Sequence, residues 1–435
     1  MSNKTGMNRR HFLRNSALGV GALSAGMLHS QEQKQEEVEN KNEWKVKEYR
    51  TLGRTGFKVS DISTGYVGNP AVLERLLDAG VNYIDTAESY GNEPIVGQVL
   101  KNRDRKKVFI TTKMEIKEDL SKEGFLKRAR KCLERLQTDY IDCMMMHSAE
   151  STKTIKIEGF HEAMKQLKTE GKLRYVGISN HGSNHAQDGE EPMQKVLTAA
   201  ALDGRFDVML LAYNFIQDDN GAEVLKVLRE KNIGATLMKV NPIGNIPRIK
   251  TYIDKMKSEK KEVPEYLLQM LPRLEAKQQR AQGFIQKYGL DDDNKMRDAA
   301  IKFCLSNPNV HTVCCSFRNF DSLDAFLPLS GTRLEEPEKQ KLAAYKEGCS
   351  QLYCRHACGL CESSCPHNVR VNTIMRYNHY FTAQGKEKWA MKQYAQLPIK
   401  ADICSNCTGI CENSCPYGVP VHGLLDMAHR TLSLA

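Results

Sequence analysis

The chain has 435 residues, of which 40% are hydrophobic, so it is long enough for two or three domains with large buried cores. The formal net charge of +10 is spread along the chain and not gathered in one stripe, which argues against a nucleic-acid-binding surface. We therefore expect a soluble protein whose mildly basic, solvated surface suits an acidic partner.

The first 30 residues have the pattern of an export signal. Arginines at positions 9 and 10 precede Phe12 and Leu13, and a weakly hydrophobic stretch rich in Gly and Ala runs from Ala17 to Leu28. This stretch is too short to cross a bilayer comfortably. The segment resembles a twin-arginine signal, which predicts a periplasmic or otherwise exported protein. The alternatives are a disordered basic tail and an uncleaved signal that serves as a membrane anchor. Residues 31–48 are polar and charged, and they predict a linker.

Between residues 49 and 330, short β-branched runs alternate with amphipathic helical patterns. Strands are predicted at 59–63, 81–85, 108–112, 140–146, 173–178, 207–211, 233–238 and 310–314. About eight strands over roughly 280 residues indicate an α/β fold of the (β/α)8 TIM barrel type, and not an open doubly wound sheet. No G-x-G-x-x-G motif follows the first strand, which also disfavours a Rossmann domain.

Four polar residues fall at or just after the ends of successive predicted strands: Asp85, Tyr90, Lys113 and His147. The carboxyl ends of barrel strands are where TIM-barrel active sites lie. An ammonium group beside a phenol lowers the pKa of the phenol, and a carboxylate holds the ammonium in place. A histidine can orient the substrate oxygen. The set predicts reduction of a carbonyl or oxidation of an alcohol, with the phenol as general acid–base.

Two strings in this region resemble the aldo-keto reductase family. The first is YRTLGRTG at 49–56, followed by KVS at 58–60, and the second is NYIDTAESYG at 82–91. The resemblance extends from about Tyr49 to Leu329. It implies that Tyr90 is the general acid–base, that Lys113 and Asp85 tune it, and that His147 orients the substrate oxygen. It also implies NADPH or NADH as cofactor and a small carbonyl or alcohol as substrate, with a sugar as one candidate.

The same resemblance implies residues that bind the nicotinamide ring. Ser179 and Asn180 match the strand end that binds the carboxamide, and Tyr213 matches a tyrosine that stacks on the ring. Leu210 stands where the family has a glutamine, so one carboxamide contact is missing. The chain therefore departs from the family pattern on the cofactor side.

The segment after the last predicted strand also bears on the cofactor. Ser316 and Arg318 are candidates to bind a 2′-phosphate, with an exposed structural arginine as the alternative. The choice among NADPH, NADH and another redox group stays open. Residues 256–295 are charged and helical in pattern, which predicts either a lid over the site or an interface.

Two runs of four cysteines, each ending in Cys-Pro, follow the predicted barrel: Cys354, Cys358, Cys361 and Cys365, then Cys404, Cys407, Cys411 and Cys415. The pattern is typical of bacterial ferredoxins, where the fourth cysteine of each run ligates the other cluster. Two 4Fe–4S clusters are predicted, held by Cys354, Cys358, Cys361 and Cys415 and by Cys404, Cys407, Cys411 and Cys365. Each run has one gap of three residues where the common pattern has two. The alternatives are two zinc knuckles or a disulfide scaffold.

The whole chain resembles the exported, ferredoxin-bearing aldo-keto reductases of bacteria. Residues 331–435 are expected to form a small α-helical ferredoxin-like domain, because 369–397 is helical in pattern. We expect an oxidoreductase linked to the clusters and to an electron-transfer partner protein. The alternatives are a non-catalytic electron-transfer or partner-binding protein on an adapted barrel, and clusters with a purely structural role. Hydride transfer moves two electrons and clusters move one, and no flavin motif connects them.

Overall fold

The computed structural model describes residues 44–116, 119–181, 191–242, 257–258, 279, 283–290 and 292–433. The predicted signal and most of the predicted linker lie outside the described residues. Most of the charged segment 256–295 also lies outside them.

The described strands form a hairpin and a closed barrel. They are β1 (Tyr49–Thr51), β2 (Lys58–Ser60), β3 (Ile62–Thr64), β4 (Tyr83–Asp85), β5 (Phe109–Glu115), β6 (Ile141–His147), β7 (Leu173–Asn180), β8 (Val208–Ala212), β9 (Gly234–Met238) and β10 (Thr312–Cys315). The barrel order is β10-β3-β4-β5-β6-β7-β8-β9, and each neighbouring pair is parallel. The predicted (β/α)8 barrel is confirmed.

The predicted first strand at 59–63 is wrong in one respect, since the chain divides there into β2 and β3. Asp61 separates them, and its buried carboxylate accepts hydrogen bonds from Ser330 Oγ at 2.6 Å and Gly331 N at 2.7 Å. β2 pairs with β1 in an antiparallel hairpin, while β3 enters the barrel. Anchoring the carboxylate fixes the bend, so a single β-branched run serves two sheets.

Aromatic side chains fill the barrel interior. Phe57, which lies in the β1–β2 connection, packs against Phe109 with ring centroids 5.3 Å apart, and Phe109 stacks on Tyr83 at 5.4 Å. Leu52 and Leu210 belong to the same buried cluster. Each such side chain contributes about 1.5–3 kcal/mol by leaving water, so the interior is a packed core and the mouth at the carboxyl ends of the strands is left for chemistry.

Helices cover the outside of the barrel. They are α1 (Pro70–Asp78), α2 (Glu93–Leu100), α3 (Lys122–Leu136), α4 (Glu158–Thr169), α5 (Met193–Asp203), α6 (Asp218–Glu230), α7 (Asp293–Ser306) and α8 (Asp321–Phe326). The start of α1 illustrates how local sequence fixes where a helix begins. Asn69 caps α1 by accepting a hydrogen bond from Ala71 N, and Pro70 occupies the first helical position, where its missing N–H is not needed.

A helical region follows the barrel. It contains α9 (Glu336–Cys349), α10 (Val371–Gln384), α11 (Glu387–Ala395), α12 (Ile410–Asn413) and α13 (Val421–Leu432). The helical pattern at 369–397 is realised as two helices, since Gly385 ends α10 in a left-handed conformation with φ 64°. Among the described residues, no helix has both the length and the apolar character needed to cross a bilayer.

The helical region docks on the carboxyl ends of the barrel strands, within the compact unit Val46–Ala435. Gln217, in the loop after β8, makes two hydrogen bonds with the backbone of His356. Ala357 O accepts a hydrogen bond from Met193 N at the start of α5. Asn214 Nδ2 also lies 3.4 Å from the Tyr353 hydroxyl. These contacts bring the cysteine-bearing region to the mouth of the barrel.

Candidate active site

Three of the four predicted catalytic residues come from adjacent strands. Asp85 ends β4, Lys113 lies in β5, and His147 ends β6. Lys113 Nζ donates hydrogen bonds to Asp85 Oδ2 at 2.6 Å and to Thr86 O at 2.7 Å, and the lysine is only 1% exposed. A buried ammonium needs such a partner, because desolvating an unpaired charge is costly.

Tyr90 lies in the loop after β4 and completes the group. Lys113 Nζ is 4.8 Å from the centre of the Tyr90 ring. The His147 ring meets the Tyr90 ring edge-on, with centroids 5.7 Å apart, and Tyr66 packs edge-on at 6.2 Å. The structure therefore brings Asp85, Tyr90, Lys113 and His147 together at the mouth.

The protonation of Tyr90 differs from the sequence-based expectation. Burial raises the pKa of Tyr90, Lys113 lowers it, and Asp85 raises it again, so that it reaches about 12. We expected the ammonium group to bring the pKa of Tyr90 below its usual value. Burial outweighs that effect, because the phenolate loses more solvation than one paired ammonium restores. Tyr90 is therefore a protonated phenol at neutral pH, the form that can donate a proton.

Sequence reasoning missed a set of cationic and histidine side chains at the same mouth. Arg376 of α10 is 2% exposed, and its Nη1 donates to His181 Nδ1 at 2.7 Å. His181 directly follows β7, and Lys239 directly follows β9. The signal that could have found Lys239 and His181 is the one that identified the tetrad, a polar residue at a strand end.

Two histidines near Arg376, His181 and His356, are neutral at pH 7. Burial and the nearby Arg376 hold the pKa of His181 well below its usual range. The same two causes hold the pKa of His356 well below its usual range. Since an arginine always donates, His181 Nδ1 must accept, and its Nε2 carries the proton.

Tyr380 of α10 connects the cations with the tetrad. Burial raises its pKa, but Lys239 and Arg376 outweigh burial and lower it to about 8. Lys239 Nζ lies 4.8 Å from the centre of the Tyr380 ring. Tyr380 in turn is close enough to Tyr90 to help raise the pKa of that phenol. A side chain of the C-terminal region thus lies within electrostatic range of the predicted general acid.

The predicted carboxamide-binding residues lie at the expected strand end. Ser179 Oγ accepts a hydrogen bond from Ser148 N at 3.0 Å and lies 3.4 Å from Met146 O. Asn180 Nδ2 donates to Ala149 O. Both side chains are buried and already contact the neighbouring strand and loop. They fit a nicotinamide site in position, although these contacts occupy part of their hydrogen-bonding capacity.

Tyr213 faces away from the mouth. Its ring stacks on Phe303 of α7 with centroids 5.5 Å apart, and its hydroxyl accepts a hydrogen bond from Asn307 Nδ2 at 3.2 Å. Val208 and Leu210 point into the barrel, so the alternation of the strand turns Tyr213 outward. Tyr213 is therefore not placed to stack on a nicotinamide ring, and the apolar Leu210 adds no carboxamide contact.

The two candidates for a 2′-phosphate lie just after β10. Ser316 and Arg318 are both exposed, and the Arg318 backbone N–H donates to Ser322 Oγ at 3.1 Å. Their side chains are accessible at the rim of the barrel. This placement fits a phosphate contact, and it fits an ordinary surface arginine equally well.

The first predicted cluster set surrounds one cavity. Cys354, Cys358, Cys361 and Cys415 all line it, together with Tyr417 and the backbone around Gly359. The cavity is small, with about 20 Å³ of room for a water-sized molecule. The fourth thiol comes from the second run, as the crossed ferredoxin arrangement requires.

The thiols of the second predicted set, Cys404, Cys407, Cys411 and Cys365, influence one another electrostatically. Burial raises the pKa of the Cys404 thiol to about 12, and the neighbouring Cys411, Cys365 and Cys407 raise it as well. Cys411 is influenced in the same way by Cys365 and Cys407. These influences place Cys365, Cys407 and Cys411 within electrostatic range of Cys404. Cys411 also influences Cys361 of the first set, so the influences alone do not assign the thiols to two separate clusters.

The thiols are not grouped for a single ion. Within the described ranges, no three His, Cys, Asp or Glu side chains come close enough together to hold one metal ion. Tetrahedral zinc needs four ligands at about 2.0–2.3 Å, which draws their donor atoms tightly together. The described structure therefore establishes neither a zinc knuckle nor an iron–sulfur cluster at these thiols, and both stay predictions.

One face of α10 runs from the first cysteine cavity to the tetrad. Asn372, Arg376 and Tyr380 are spaced at four-residue intervals, which places them on one side of the helix. Asn372 Nδ2 lies 3.8 Å from Cys354 Sγ, and Tyr380 lies within electrostatic range of Tyr90. Two helical turns separate the ends of this face, roughly 12 Å along the axis.

Comparison with known proteins identifies relatives. The sequence model of the Aldo/keto reductase family matches residues 68–346. The chain is 35% identical to the uncharacterized oxidoreductase YqkF of Bacillus subtilis over 150 residues, which is 30% of this chain and 48% of that protein. It is 35% identical to the methylglyoxal reductase DkgB of Salmonella typhi over 112 residues, covering 25% of this chain and 42% of that protein. The chain thus spans less than half the length of these curated relatives.

A solved structure is similar as well. The holo form of aldo-keto reductase AKR11C1 from Bacillus halodurans aligns with a TM-score of 0.49 at 24% identity. The alignment covers 68% of this chain and 96% of that one.

Proposed function

The chain belongs to the aldo/keto reductase family, and we propose on this basis that it is an oxidoreductase that interconverts a carbonyl and an alcohol at the barrel mouth. The observation that carries the proposal is the geometry of four side chains: Lys113 bonded to buried Asp85, with Tyr90 and His147 against them. This arrangement places one acidic O–H beside an ammonium and an imidazole. It is the set required to protonate an oxygen on which charge develops.

Each residue has a defined part in this proposal. Tyr90 donates its phenolic proton to the substrate oxygen, and Lys113 stabilises the phenolate that remains. Asp85 holds Lys113 in place, and His147 orients the substrate oxygen at the edge of the Tyr90 ring. Because the pKa of Tyr90 is about 12 without substrate, the phenol is fully protonated before reduction begins. In alcohol oxidation the same group must first lose its proton, which is less favourable at neutral pH.

NADPH or NADH is the proposed cofactor, and when bound it supplies or accepts hydride at the reacting carbon. Ser179 and Asn180 would hold its carboxamide, and Ser316 and Arg318 would contact a 2′-phosphate. The outward position of Tyr213 leaves the ring-stacking role to another side chain. A small carbonyl compound such as methylglyoxal, which the name of one relative gives, is the first substrate to test.

Two 4Fe–4S clusters are proposed for the C-terminal region, where they would carry single electrons. The cavity lined by Cys354, Cys358, Cys361 and Cys415 supports the first. The electrostatic influence of Cys365, Cys407 and Cys411 on the Cys404 thiol supports the second cluster. The α10 face between cavity and tetrad supports a functional link of the clusters to the barrel site.

The remaining parts of the assignment are proposals from sequence. Residues 1–30 are a twin-arginine signal, 31–48 a linker, 49–330 the barrel, and 331–435 the ferredoxin-like domain. Export would place the protein in the periplasm or outside the cell, and an electron-transfer protein would be its partner. The pattern of residues 9–28 supports the signal.

Replacement of Tyr90 by Phe tests the catalytic proposal. General acid catalysis contributes about 10²–10⁴-fold, so Tyr90→Phe should lower kcat for carbonyl reduction by that factor. Tyr140→Phe is the matched control, because Tyr140 lies between Arg105 and Arg174 before β6, away from the mouth. Turnover by Tyr90→Phe at the wild-type rate would overturn the assignment.

A further inference from the structure

Arg376 is a buried cation with unused hydrogen-bonding capacity. Its Nη1 donates to His181, but its Nε and Nη2 are buried without a partner among the described residues. Buried polar atoms are almost always paired in folded proteins, and a charged group has the strongest need. An acceptor that reaches Nε and Nη2 would satisfy the guanidinium.

Lys239 is a second cation at the same place. It follows β9 with a left-handed backbone conformation, φ 57°, which is uncommon for a residue with a side chain. Asn214 Nδ2 holds this conformation by donating to Lys239 O at 2.9 Å. Burial and the nearby Arg376 lower the pKa of the Lys239 ammonium group.

Among the described residues, no carboxylate is one of the main electrostatic influences on Lys239. The groups acting most strongly on Lys239 are Tyr380, Arg376 and Lys386. Those acting on His181 are Arg376, Lys239 and His147. Asp85 is already paired with Lys113. Tyr380 attracts both cations, and an anion from outside the protein would balance the charge that remains on Arg376 and Lys239.

The cations also lie within electrostatic range of the residues next to the acid–base pair. Tyr380, which packs on Lys239, is close enough to raise the pKa of Tyr90. His181, which accepts from Arg376, is close enough to be influenced by His147. A molecule whose carbonyl carbon meets Tyr90 would present a neighbouring group to this cationic pair.

We infer that Arg376 and Lys239 bind a carboxylate or phosphate group of the substrate, close to the carbon that reacts at Tyr90. The inference rests on the proposed function and narrows it to small anionic hydroxy or oxo compounds. A guanidinium binds either anion through two parallel hydrogen bonds, and an ammonium adds a point charge. The C-terminal region thereby supplies part of substrate recognition.

Anion binding to the full-length, cluster-replete protein tests the inference without turnover. Thermal unfolding is followed at constant ionic strength in sodium chloride, with added inorganic phosphate in one series and lactate in another. A saturable rise in Tm is expected, and the series that shows it at the lower concentration identifies phosphate or carboxylate as the recognised group.

Substitutions localise the site. Arg376→Gln and Lys239→Gln should each weaken the apparent anion affinity at least about tenfold, because each removes a charge-assisted contact. Arg376→Lys keeps the charge and should lose less, which guards against a variant that merely fails to fold. Arg229→Gln, on the exposed surface of α6, is the matched control and should bind as wild type.

Three results would overturn the inference: no saturable rise in Tm with either anion, unchanged binding in both Gln variants, or loss of the anion effect when NADPH is added. The last would place a dinucleotide phosphate at Arg376. Tyr90→Phe should still bind the anion. If that variant retains turnover while Arg376→Gln loses anion binding, the catalytic proposal fails and the anion site stands.

Discussion

Gln217 and His356 are joined by a pair of hydrogen bonds. The Gln217 Oε1 accepts from the His356 backbone N–H at 2.9 Å, and Nε2 donates to the His356 carbonyl oxygen at 2.6 Å. Both residues are buried, and they are 139 positions apart in the chain. One amide side chain from a barrel loop thus satisfies both backbone groups of a residue that lies between Cys354 and Cys358, two residues of the first cysteine cavity.

Gln217→Ala is expected to loosen the docking of the C-terminal region. It leaves one buried N–H and one buried carbonyl oxygen unpaired, each costing about 1–3 kcal/mol. Thermal unfolding should show a lower Tm, and limited proteolysis should cut more readily between barrel and helices. Gln98→Ala, on the exposed face of α2, is the control. An unchanged Tm and cleavage pattern in Gln217→Ala would show that the other junction contacts suffice.

The strands and the tetrad could be predicted because each depends on local sequence. Strand ends in a parallel barrel all meet at one rim, so Asp85 and His147 converge wherever the strands are found. The outward position of Tyr213 could also have been predicted, since Tyr213 lies an odd number of residues from the inward-facing Leu210. The pairing of Arg376 with His181 could not be predicted, because it depends on how α10 docks on the barrel and the two residues are 195 positions apart.

Tyr380 should ionise at an unusually low pH. Lys239 and Arg376 outweigh burial and lower its pKa to about 8, whereas free tyrosine ionises near about 10. Because the folded pKa lies below the unfolded one, the unfolded chain binds more protons between these values. Tyr380 therefore adds stability as pH rises from about 8 towards about 10, and the ultraviolet difference band of tyrosinate should appear near pH 8.

The control for this titration is Tyr380→Phe, which should lack the low-pH tyrosinate band and keep the remaining tyrosine ionisation. Burial raises the pKa of Tyr213 to about 12, so that residue does not contribute in this range. Tyr213→Phe should therefore leave the band near pH 8 unchanged. A band of equal size in wild type and Tyr380→Phe would contradict the assignment.

Cys358→Ala should remove one cluster and leave the other. Cys358 lines the first cavity, and its loss leaves three thiols there, whereas the set around Cys404 is unchanged. Protein purified without oxygen should contain about half the wild-type iron and sulfide, because each proposed cluster holds the same number of iron atoms. Metal analysis together with electron paramagnetic resonance of the reduced protein measures both quantities.

Cys349→Ala supplies the matched control for this measurement. Cys349 ends α9, packs in a separate buried cluster with Tyr345 and Tyr353, and is not part of the cavity lining. Its removal should leave iron content at the wild-type level. Zinc in place of iron in the wild-type protein would contradict the cluster proposal and favour zinc knuckles. Equal iron loss in both variants would show that iron content follows general stability, since only a ligand role distinguishes Cys358 from a buried thiol.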